Sequence, residues 1–265
     1  MTESWKQGCS ACRDAQPSFA LRMAFQPIVD VTSREVFAYE ALVRGPNGEG
    51  AAHVLENVSE ADRYAFDQQC RVAAIRQAVD AGILATDAHL SINFLPNAVY
   101  SPLACIQLTL KTAEEVALPQ HRLMFEFSET ERIADSDHIR AIMKTYAEIG
   151  FQTALDDFGS GYAGLSLLAD FQTSHIKLDM HLVRGIDRDR ARQAIVTSVS
   201  EMAARLGTLL IAEGIETTGE AEFLTSAGIT LHQGFLYARP ELGKLPQPFE
   251  ARPASATRPP LAPRP

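Results

Sequence analysis

Short apolar runs typical of β-strands alternate with helical patterns along most of this chain, and no other feature restricts its fold as strongly. Strands are predicted at residues 22–29, 36–43, 89–94, 122–127, 151–156, 174–178, 208–213 and 229–231. Helices are predicted at residues 60–81, 135–149, 162–169, 189–206 and 217–227, with lesser ones near 97–117 and 180–185. Repeated strand–helix units predict an α/β fold with a largely parallel sheet, either open or closed into a barrel.

Polar side chains stand at or near the ends of almost all of these strands. A carboxylate inside an apolar strand is unfavourable unless it is paired or metal-bound, and a single such acid is most often part of a salt bridge. A whole set is difficult to explain by packing, because the carboxyl ends of the strands of a (β/α)₈ barrel converge on one rim, where active sites are built. The set consists of Glu40, Asn93, Glu126, Asp156, Asp157, Lys177, Asp179, Glu213 and Gln233.

The carboxylates and carboxamides of this set are hard oxygen ligands, which Mg²⁺, Mn²⁺ and Ca²⁺ prefer. The adjacent Asp156 and Asp157 can bridge two ions. Two ions about 3.5–4 Å apart clamp the attacking and leaving oxygens of a phosphoryl displacement and generate hydroxide near neutral pH. Lys177 then orients that water or neutralises transition-state charge, although a salt bridge to the neighbouring acids is the simpler interpretation of this residue.

The segment that follows the predicted strand at 151–156 contains motifs of two other enzyme classes. Residues 157–159 spell the kinase motif D-F-G, but the other kinase motifs are absent from the sequence. The G-x-G-x-x-G that begins at Gly159 matches the dinucleotide-binding fingerprint, yet Asp156 and Asp157 would face the pyrophosphate with two negative charges. The glycines are therefore interpreted as a mobile loop that responds to substrate or to a partner subunit.

Composition excludes several classes of protein. The chain has 24 Lys and Arg against 33 Asp and Glu, a net charge of −9, which argues against nonspecific binding to nucleic-acid polymers or anionic membranes. No apolar run approaches the roughly 18 residues of a membrane span, and the N-terminus lacks the apolar region of a secretory signal, so a cytoplasmic protein is predicted. No second pair of ligands completes a zinc site with Cys9 and Cys12.

One folded domain is predicted between two irregular ends. Residues 1–18 are a polar lead-in, residues 19–245 are the domain, and the Pro-rich residues 246–265 are a disordered tail. No linker-like stretch divides the central block, whose length suits a single barrel of roughly 250 residues. The P-x-x-P spacing in the tail is a weak indication of a protein partner.

Motifs spread over about residues 20–242 resemble those of the EAL domain family, the cyclic-di-GMP phosphodiesterases. They are Phe25-Gln26-Pro27-Ile28, Glu40-Ala41-Leu42 with Arg44, Asp156-Asp157-Phe158-Gly159-Ser160-Gly161-Tyr162, Lys177-Leu178-Asp179, Glu213-Gly214-Ile215-Glu216 and Gln233-Gly234-Phe235. The resemblance implies a modified TIM-like (β/α)₈ barrel with an antiparallel first strand, and hydrolysis of c-di-GMP to linear pGpG. It also implies two Mg²⁺ or Mn²⁺ ions per site, inhibition by Ca²⁺, and a homodimer formed near the glycine loop. No further signalling domain fits into the remaining residues, so a stand-alone EAL protein is predicted.

The resemblance also implies a role for each residue of the site. The implied metal ligands are Glu40, Asn93, Glu126 and Asp156 for one ion, and Asp156, Asp157 and Glu213 for the other. The implied catalytic residues are Glu40, Asp157, Glu213 as a candidate base, and Lys177, which holds the nucleophilic water. Implied substrate contacts are Gln26, Arg44 with its guanidinium fork on phosphate, Asp179 and Gln233. Implied loop and outer positions are Glu129, Glu216, Gly159 and Gly161.

The chain departs from the family pattern at a few positions. The family's N-x-S reads Asn93-Phe94-Leu95, and Gly45-Pro46 replaces the usual aromatic residue after Arg44. Neither change removes an implied ligand. Two alternatives stay open. A catalytically weak c-di-GMP receptor or protein-interaction EAL module usually lacks some of the acids, and another metal-dependent barrel enzyme would need a base away from the metals, which is not evident.

Overall fold

The computed structural model of this protein describes residues 19–99, 101–129, 136–161 and 163–249. The predicted lead-in with Cys9 and Cys12 lies outside the described residues, as do Tyr162 and the predicted tail from residue 250 onward. The strands are β1 (Arg22–Asp30), β2 (Glu35–Arg44), β3 (His89–Asn93), β4 (Leu123–Ser128), β5 (Gln152–Phe158), β6 (His175–Leu178), β7 (Leu209–Ala212), β8 (Leu231–His232) and β9 (Glu241–Leu242). The helices are α1 (Ala51–Glu56), α2 (Arg63–Asp80), α3 (Pro102–Glu115), α4 (Ser136–Ile149), α5 (Gly164–Asp170), α6 (Met180–Val183), α7 (Arg190–Leu206) and α8 (Thr218–Ser226).

The strands form one closed sheet. Their order is β2-β3-β4-β5-β6-β7-β8-β1-β9, and β1 also pairs with β2, which closes a barrel of eight strands with β9 added at one edge. All pairs from β2 to β8 are parallel, whereas β1 runs antiparallel to β2 and to β8. The prediction of a modified TIM-like barrel with an antiparallel first strand is confirmed.

Helix boundaries follow local sequence signals. Gly82 and Gly150 follow α2 and α4 with φ of 94° and 93°, the left-handed conformation that glycine adopts without strain. Helix α3 begins at Pro102 and not near residue 97, because proline is favoured in the first turn of a helix, where its missing N–H has no partner to lose. The short helix α1 and the two-residue strand β9 were not predicted, since neither has enough residues to show a period.

Apolar side chains form two layers, one inside the barrel and one outside it. The layer inside the barrel is small and consists of Ile28, Ala38, Met124, Ala154, Ile211 and Leu231, with the half-buried Phe37 packed against it. The larger layer lies outside the strands, between the sheet and the helices. Because side chains alternate between the two faces of a strand, every second residue of β2 to β7 points into the barrel. The inner layer therefore fills the middle of the barrel, and polar residues two positions further along the same strands reach its carboxyl-terminal rim.

The first residues of the predicted tail lie against the barrel. The Tyr39 hydroxyl donates a hydrogen bond to the Pro246 carbonyl at 3.0 Å, and the Gln247 side chain donates to the Tyr39 oxygen at 2.7 Å. The Arg34 guanidinium lies over the Phe249 ring, 5.1 Å from its centre. Residues 246–249 thus pack on the domain.

No helix in the described part of the chain is both long and apolar enough to cross a bilayer.

Candidate functional site

A buried lysine lies at the centre of the carboxylates that the strand ends bring together. The Lys177 ammonium is 2.6 Å from Glu213 Oε1, 2.8 Å from Glu126 Oε2, 3.2 Å from Asp156 Oδ1 and 3.5 Å from Glu40 Oε2. Its side chain is only 1% exposed. Four strands, β2, β4, β5 and β6, and the residue after β7 supply these groups. One monovalent cation therefore faces four carboxylates in a region of low dielectric, so the site has a surplus of negative charge.

The carboxylates divide into two groups that share one member. One ligand atom each from Glu40, Glu126 and Asp156 lies within 4.8 Å of the others, and the same holds for Asp156, Asp157 and Glu213. This division matches the two ligand sets implied by the family resemblance, apart from Asn93, which is an amide. The described residues thus contain an acidic cluster able to hold metal ions, and the role of each residue as a ligand remains a prediction.

A local irregularity brings Asp156 and Asp157 to the same site. Neighbouring residues of a regular strand point to opposite faces. Asp157, however, has a φ of 58°, and the register between β5 and β6 shifts between Leu155 and Phe158. Asp is one of the residue types that tolerates this left-handed conformation. A bulge of this kind redirects a side chain, and the Asp157 carboxylate accepts a hydrogen bond from the Ser128 hydroxyl at 2.6 Å.

Amide side chains fix the orientation of Glu40. The Gln233 amide donates to Glu40 Oε2 at 2.7 Å, and the Asn93 amide donates to Glu40 Oε1 at 3.1 Å. The Gln233 carbonyl oxygen is buried and has no hydrogen-bond partner. On the neighbouring strand, the Ser91 hydroxyl donates to Glu126 Oε1. Glu40 and Glu126 keep further lone pairs that a cation can bind, because each carboxylate can accept more than the bonds described here.

The protonation of the cluster reflects its surplus of negative charge. Burial raises the pKa of Glu126 to about 8, although the Lys177 ammonium acts in the opposite direction. Burial raises the pKa of Asp156 as well, and that of Glu213 well above its usual value. Burial alone would lower the pKa of Lys177, but the four carboxylates outweigh it and raise that pKa well above its ordinary value.

Glu40 differs from the other acids of the cluster. Burial by itself would raise its pKa, but the Lys177 charge, with hydrogen bonds from Gln233 and Asn93, brings the pKa of Glu40 below its usual range. The metal-free cluster therefore combines Glu40, whose pKa is lowered, with Lys177 and three acids whose raised pKa values favour a bound proton. Divalent cations would displace those protons, because metal ligands bind in their deprotonated form.

The glycine loop after β5 is held by Glu129. Glu129 Oε1 accepts hydrogen bonds from the backbone N–H of Gly159, at 3.1 Å, and of Gly161. The Glu129 backbone N–H in turn donates to the Asp156 carbonyl at 3.0 Å. Glu129, which is 3% exposed, thus connects the loop with the strand that carries the two aspartates.

A cavity of about 300 Å³ opens above the cluster. Its lining includes Gln26, Glu40, Asp156, Asp157, Lys177, Asp179, Glu213, Glu216 and Gln233, all of which were singled out in the sequence. The described residues that line it do not include Arg44, Asn93, Glu126 or Glu129. Arg44 Nη1 donates to the carbonyl of its neighbour Val43 at 2.8 Å, and its contact with phosphate stays a prediction. Asp179 caps α6 by accepting from the His181 N–H at 2.8 Å.

Sequence reasoning assigned no role to three side chains that line the cavity, Met180, Arg184 and Phe235. Arg184 lies one turn of helix beyond Asp179 and forms a 2.5 Å ion pair with Glu216. Phe235 is 45% exposed and has the Arg239 guanidinium 4.0 Å from its ring centre. Its place in the Gln-Gly-Phe motif could have indicated its position, whereas nothing in the local sequence distinguishes Arg184 from other surface arginines.

The fold and the site together define a modified TIM-like barrel with a lysine-centred acidic cluster at its carboxyl-terminal rim. The EAL domain family model matches residues 11–240. The chain belongs to the EAL domain family, and the resemblance drawn from its motifs is confirmed.

Solved structures show the same architecture. A standalone EAL protein from Vibrio cholerae O395 in its c-di-GMP-bound form is 48% identical, with a TM-score of 0.83 over 87% of this chain and 96% of that one. A manganese and cyclic-di-GMP complex of BlrP1 from Klebsiella pneumoniae is 36% identical, with a TM-score of 0.80 over 87% of this chain and 58% of that one.

Curated relatives differ in their named roles. The blue light- and temperature-regulated antirepressor BluF of Escherichia coli is 31% identical over 87% of this chain. The cyclic di-GMP phosphodiesterase PdeR of the same organism is 39% identical over 43% of this chain. This chain spans 57% of the length of BluF and 17% of that of PdeR, so the activities of these whole proteins do not transfer directly.

Proposed function

We propose that this chain is a cytoplasmic c-di-GMP phosphodiesterase, which hydrolyses the cyclic dinucleotide to linear pGpG with the help of two Mg²⁺ or Mn²⁺ ions. The observation that carries the proposal is the acidic cluster, which retains every acid that the family resemblance implies. Its carboxylates form two sets that share Asp156, and they lie around the buried Lys177. Structures of relatives with c-di-GMP bound, one of them with manganese, support both the ligand and the kind of metal.

The donor set fits the proposed ions. Carboxylate oxygens at a concave rim, with one carboxylate common to two groups, suit a pair of hard divalent cations. When bound, such ions supply a water of lowered pKa and a clamp on the attacking and leaving oxygens of a phosphodiester. Ca²⁺ is expected to inhibit, because its larger size and longer ligand distances change the spacing of that clamp.

The residues of the chain would divide the remaining tasks. Glu213 lines the cavity, so its carboxylate, once the metal ions have displaced its proton, can accept a proton from the attacking water. Lys177 stays protonated and balances charge that develops on the phosphodiester. Gln233 and Asn93 hold Glu40 in place through their amide groups. Arg184 lines the cavity and can contact phosphate, and Arg44, which lies outside the lining, would do so after its side chain swings away from the Val43 carbonyl.

Turnover by the purified chain tests this proposal. With Mn²⁺ and c-di-GMP, we expect pGpG as the product by chromatography and mass spectrometry, and no further product from pGpG itself. Glu40→Ala should remove activity, whereas Glu148→Ala, which removes an exposed acid on α4, should leave it unchanged. Tight binding of c-di-GMP without product from the intact chain would contradict the enzyme proposal and favour the receptor alternative.

A homodimer remains part of the proposal. The expectation rests on the family resemblance, which implies a dimer formed near the glycine loop. Light scattering on the purified protein, with and without c-di-GMP and Mn²⁺, should give twice the chain mass. A monomer that turns over substrate at all concentrations would contradict it.

A further inference from the structure

The helix α2 carries a buried ion pair outside the barrel. Arg71 Nη2 lies 2.5 Å from Asp67 Oδ2, one turn apart, and their side chains are 0% and 2% exposed. Replacing such a pair with apolar residues is often neutral or stabilising in proteins, because removing two charges from water offsets their attraction. Stability alone therefore does not account for a charged pair in this position.

The pair contacts the segment that carries Asn93. Asp67 Oδ1 accepts a hydrogen bond at 2.9 Å from the backbone N–H of Leu95, two residues after Asn93. The Arg71 guanidinium lies over the ring of Phe94, 5.5 Å from its centre. The Phe94 N–H donates to the Glu126 carbonyl at 2.9 Å, so the same short segment also runs beside a second residue of the cluster.

Because side chains alternate between the two faces of a strand, contacts outside the barrel can fix the position of a side chain inside it. Asn93 points into the barrel and Phe94 points outward, toward Arg71 and Tyr146. Arg71 is itself fixed by a 3.2 Å hydrogen bond to the Tyr146 hydroxyl. The segment turns away from the sheet directly after Asn93, where β3 ends, and the Leu95 N–H would otherwise have no ladder partner.

We infer that Asp67 is a positioning residue for Asn93: its carboxylate fixes the Leu95 amide and so holds the Asn93 side chain against the acidic cluster, with Arg71 as the counterion. This inference rests on the proposed function, since it assigns a purpose to Asn93 as a ligand. Groups that orient metal ligands typically contribute tenfold to a hundredfold to metal affinity or activity.

A pair of double variants separates positioning from packing. Asp67→Leu/Arg71→Met removes both charges and the acceptor of the Leu95 N–H. Asp67→Asn/Arg71→Met also removes both charges but keeps a carbonyl oxygen at the position of Asp67 Oδ1. Circular dichroism establishes that each variant is folded. Mn²⁺ affinity by calorimetry and hydrogen exchange of the Leu95 amide are then measured beside kcat and KM.

We expect the leucine variant to exchange the Leu95 amide at least about tenfold faster, to bind Mn²⁺ about tenfold more weakly, and to lose kcat with little change in KM. The asparagine variant should stay within about threefold of the native chain in all of these. Equal Mn²⁺ affinity in the two variants, despite faster exchange in the first, would overturn the inference, as would failure of the native chain to bind Mn²⁺.

Two further outcomes are also decisive. If the leucine variant does not fold, Asp67→Ala/Arg71→Met, which adds no bulk, takes its place, and loss of the fold in both would show that Asp67 is structural. If the native chain binds Mn²⁺ but does not hydrolyse c-di-GMP, the proposed function fails, while Mn²⁺ affinity and amide exchange still decide whether Asp67 positions Asn93.

Discussion

The two ends of the barrel interior are both polar, but they are built in different ways. At the carboxyl-terminal rim, the Lys177 ammonium lies within 3.5 Å of four carboxylates. At the amino-terminal end, the Phe37 ring lies 5.0 Å from His89 and 5.3 Å from His175, and His89 forms a 2.8 Å hydrogen bond with Gln152. One end collects charge around a cation, and the other consists of neutral rings and an amide.

The partners of these groups show the same difference. The buried His175 Nε2 and Gln152 Oε1 have no hydrogen-bond partner. Burial lowers the pKa of His175 to about 4, so the ring is neutral at ordinary pH. At the rim, burial raises the pKa of Glu126 to about 8. The amino-terminal end thus presents neutral groups, whereas the rim holds an acidic cluster able to bind metal ions, in agreement with the division of roles in this type of barrel.

The largest expected effect separates the two ends by function. Asp156→Ala removes the carboxylate shared by both groups of the cluster, and turnover of c-di-GMP should fall by at least about a hundredfold. His175→Phe, at the other end of the same interior, should leave kcat within about twofold. Steady-state kinetics with Mn²⁺ measures both. A comparable loss in the two variants would contradict the assignment of function to the rim.

The second prediction concerns the cation of the rim. Lys177→Met leaves four carboxylates without their partner, and removal of one member of a buried ion pair typically costs about 3–5 kcal/mol. The metal-free variant should therefore unfold at a lower temperature than the native chain. Saturating Mn²⁺ should restore much of the difference in Tm, because divalent ions supply the missing charge. Calorimetry with and without Mn²⁺ tests this, and an equal deficit in both conditions would count against a metal site.

The third prediction uses the opposite titration of the two ends. A raised carboxyl pKa means that the folded protein keeps a proton that the unfolded chain has lost, so Glu126 should lower the stability of the metal-free protein as pH rises from 4.5 to about 8. A lowered histidine pKa has the reverse sign, so His175 should lower stability as pH falls from 6.5 to about 4. Each contribution should be on the order of 3–5 kcal/mol, since one pKa unit corresponds to about 1.4 kcal/mol.

Urea unfolding at a series of pH values measures these two effects. In a plot of the free energy of unfolding against pH, Glu126→Gln should reduce the slope only on the alkaline side. His175→Phe should reduce the slope only on the acid side. If either variant changed the slope on both sides, the two ends would not be independent, although their separation by the inner apolar layer leads us to expect that they are.

The smallest expected effect lies at the mouth of the cavity. The Arg184–Glu216 ion pair is half-exposed, and such pairs contribute only about 0–1 kcal/mol to stability. Arg184→Ala should therefore leave Tm almost unchanged, while KM for c-di-GMP rises less than about tenfold and kcat stays the same. Arg184→Lys keeps the charge but not the planar fork, so its KM should lie between that of the native chain and that of Arg184→Ala. A fall in kcat alone would place Arg184 nearer the chemistry than its position suggests.

Most of the fold and much of the site can be predicted from the sequence because both depend on local patterns. Strands alternate with helices, and each polar residue of the rim follows an apolar run, so the strand ends by themselves identify Glu40, Glu126 and Lys177. The short elements α1 and β9 were missed because they show no period. At the start of the predicted tail, Pro246 and Gln247 form hydrogen bonds with Tyr39, which proline content alone could not indicate.

The sequence by itself determined which chemical groups meet at the rim, because strand direction and the two-residue alternation of side chains are properties of the chain alone. Only the tertiary structure decided how those groups meet. Asp157 reaches the cluster through a bulge, and Lys177 forms ion pairs with four carboxylates. Arg44 forms a hydrogen bond with the Val43 carbonyl of its own strand. Such outcomes depend on distances between residues far apart in sequence, where burial strengthens each charge interaction and a displacement of one or two ångströms changes the partner.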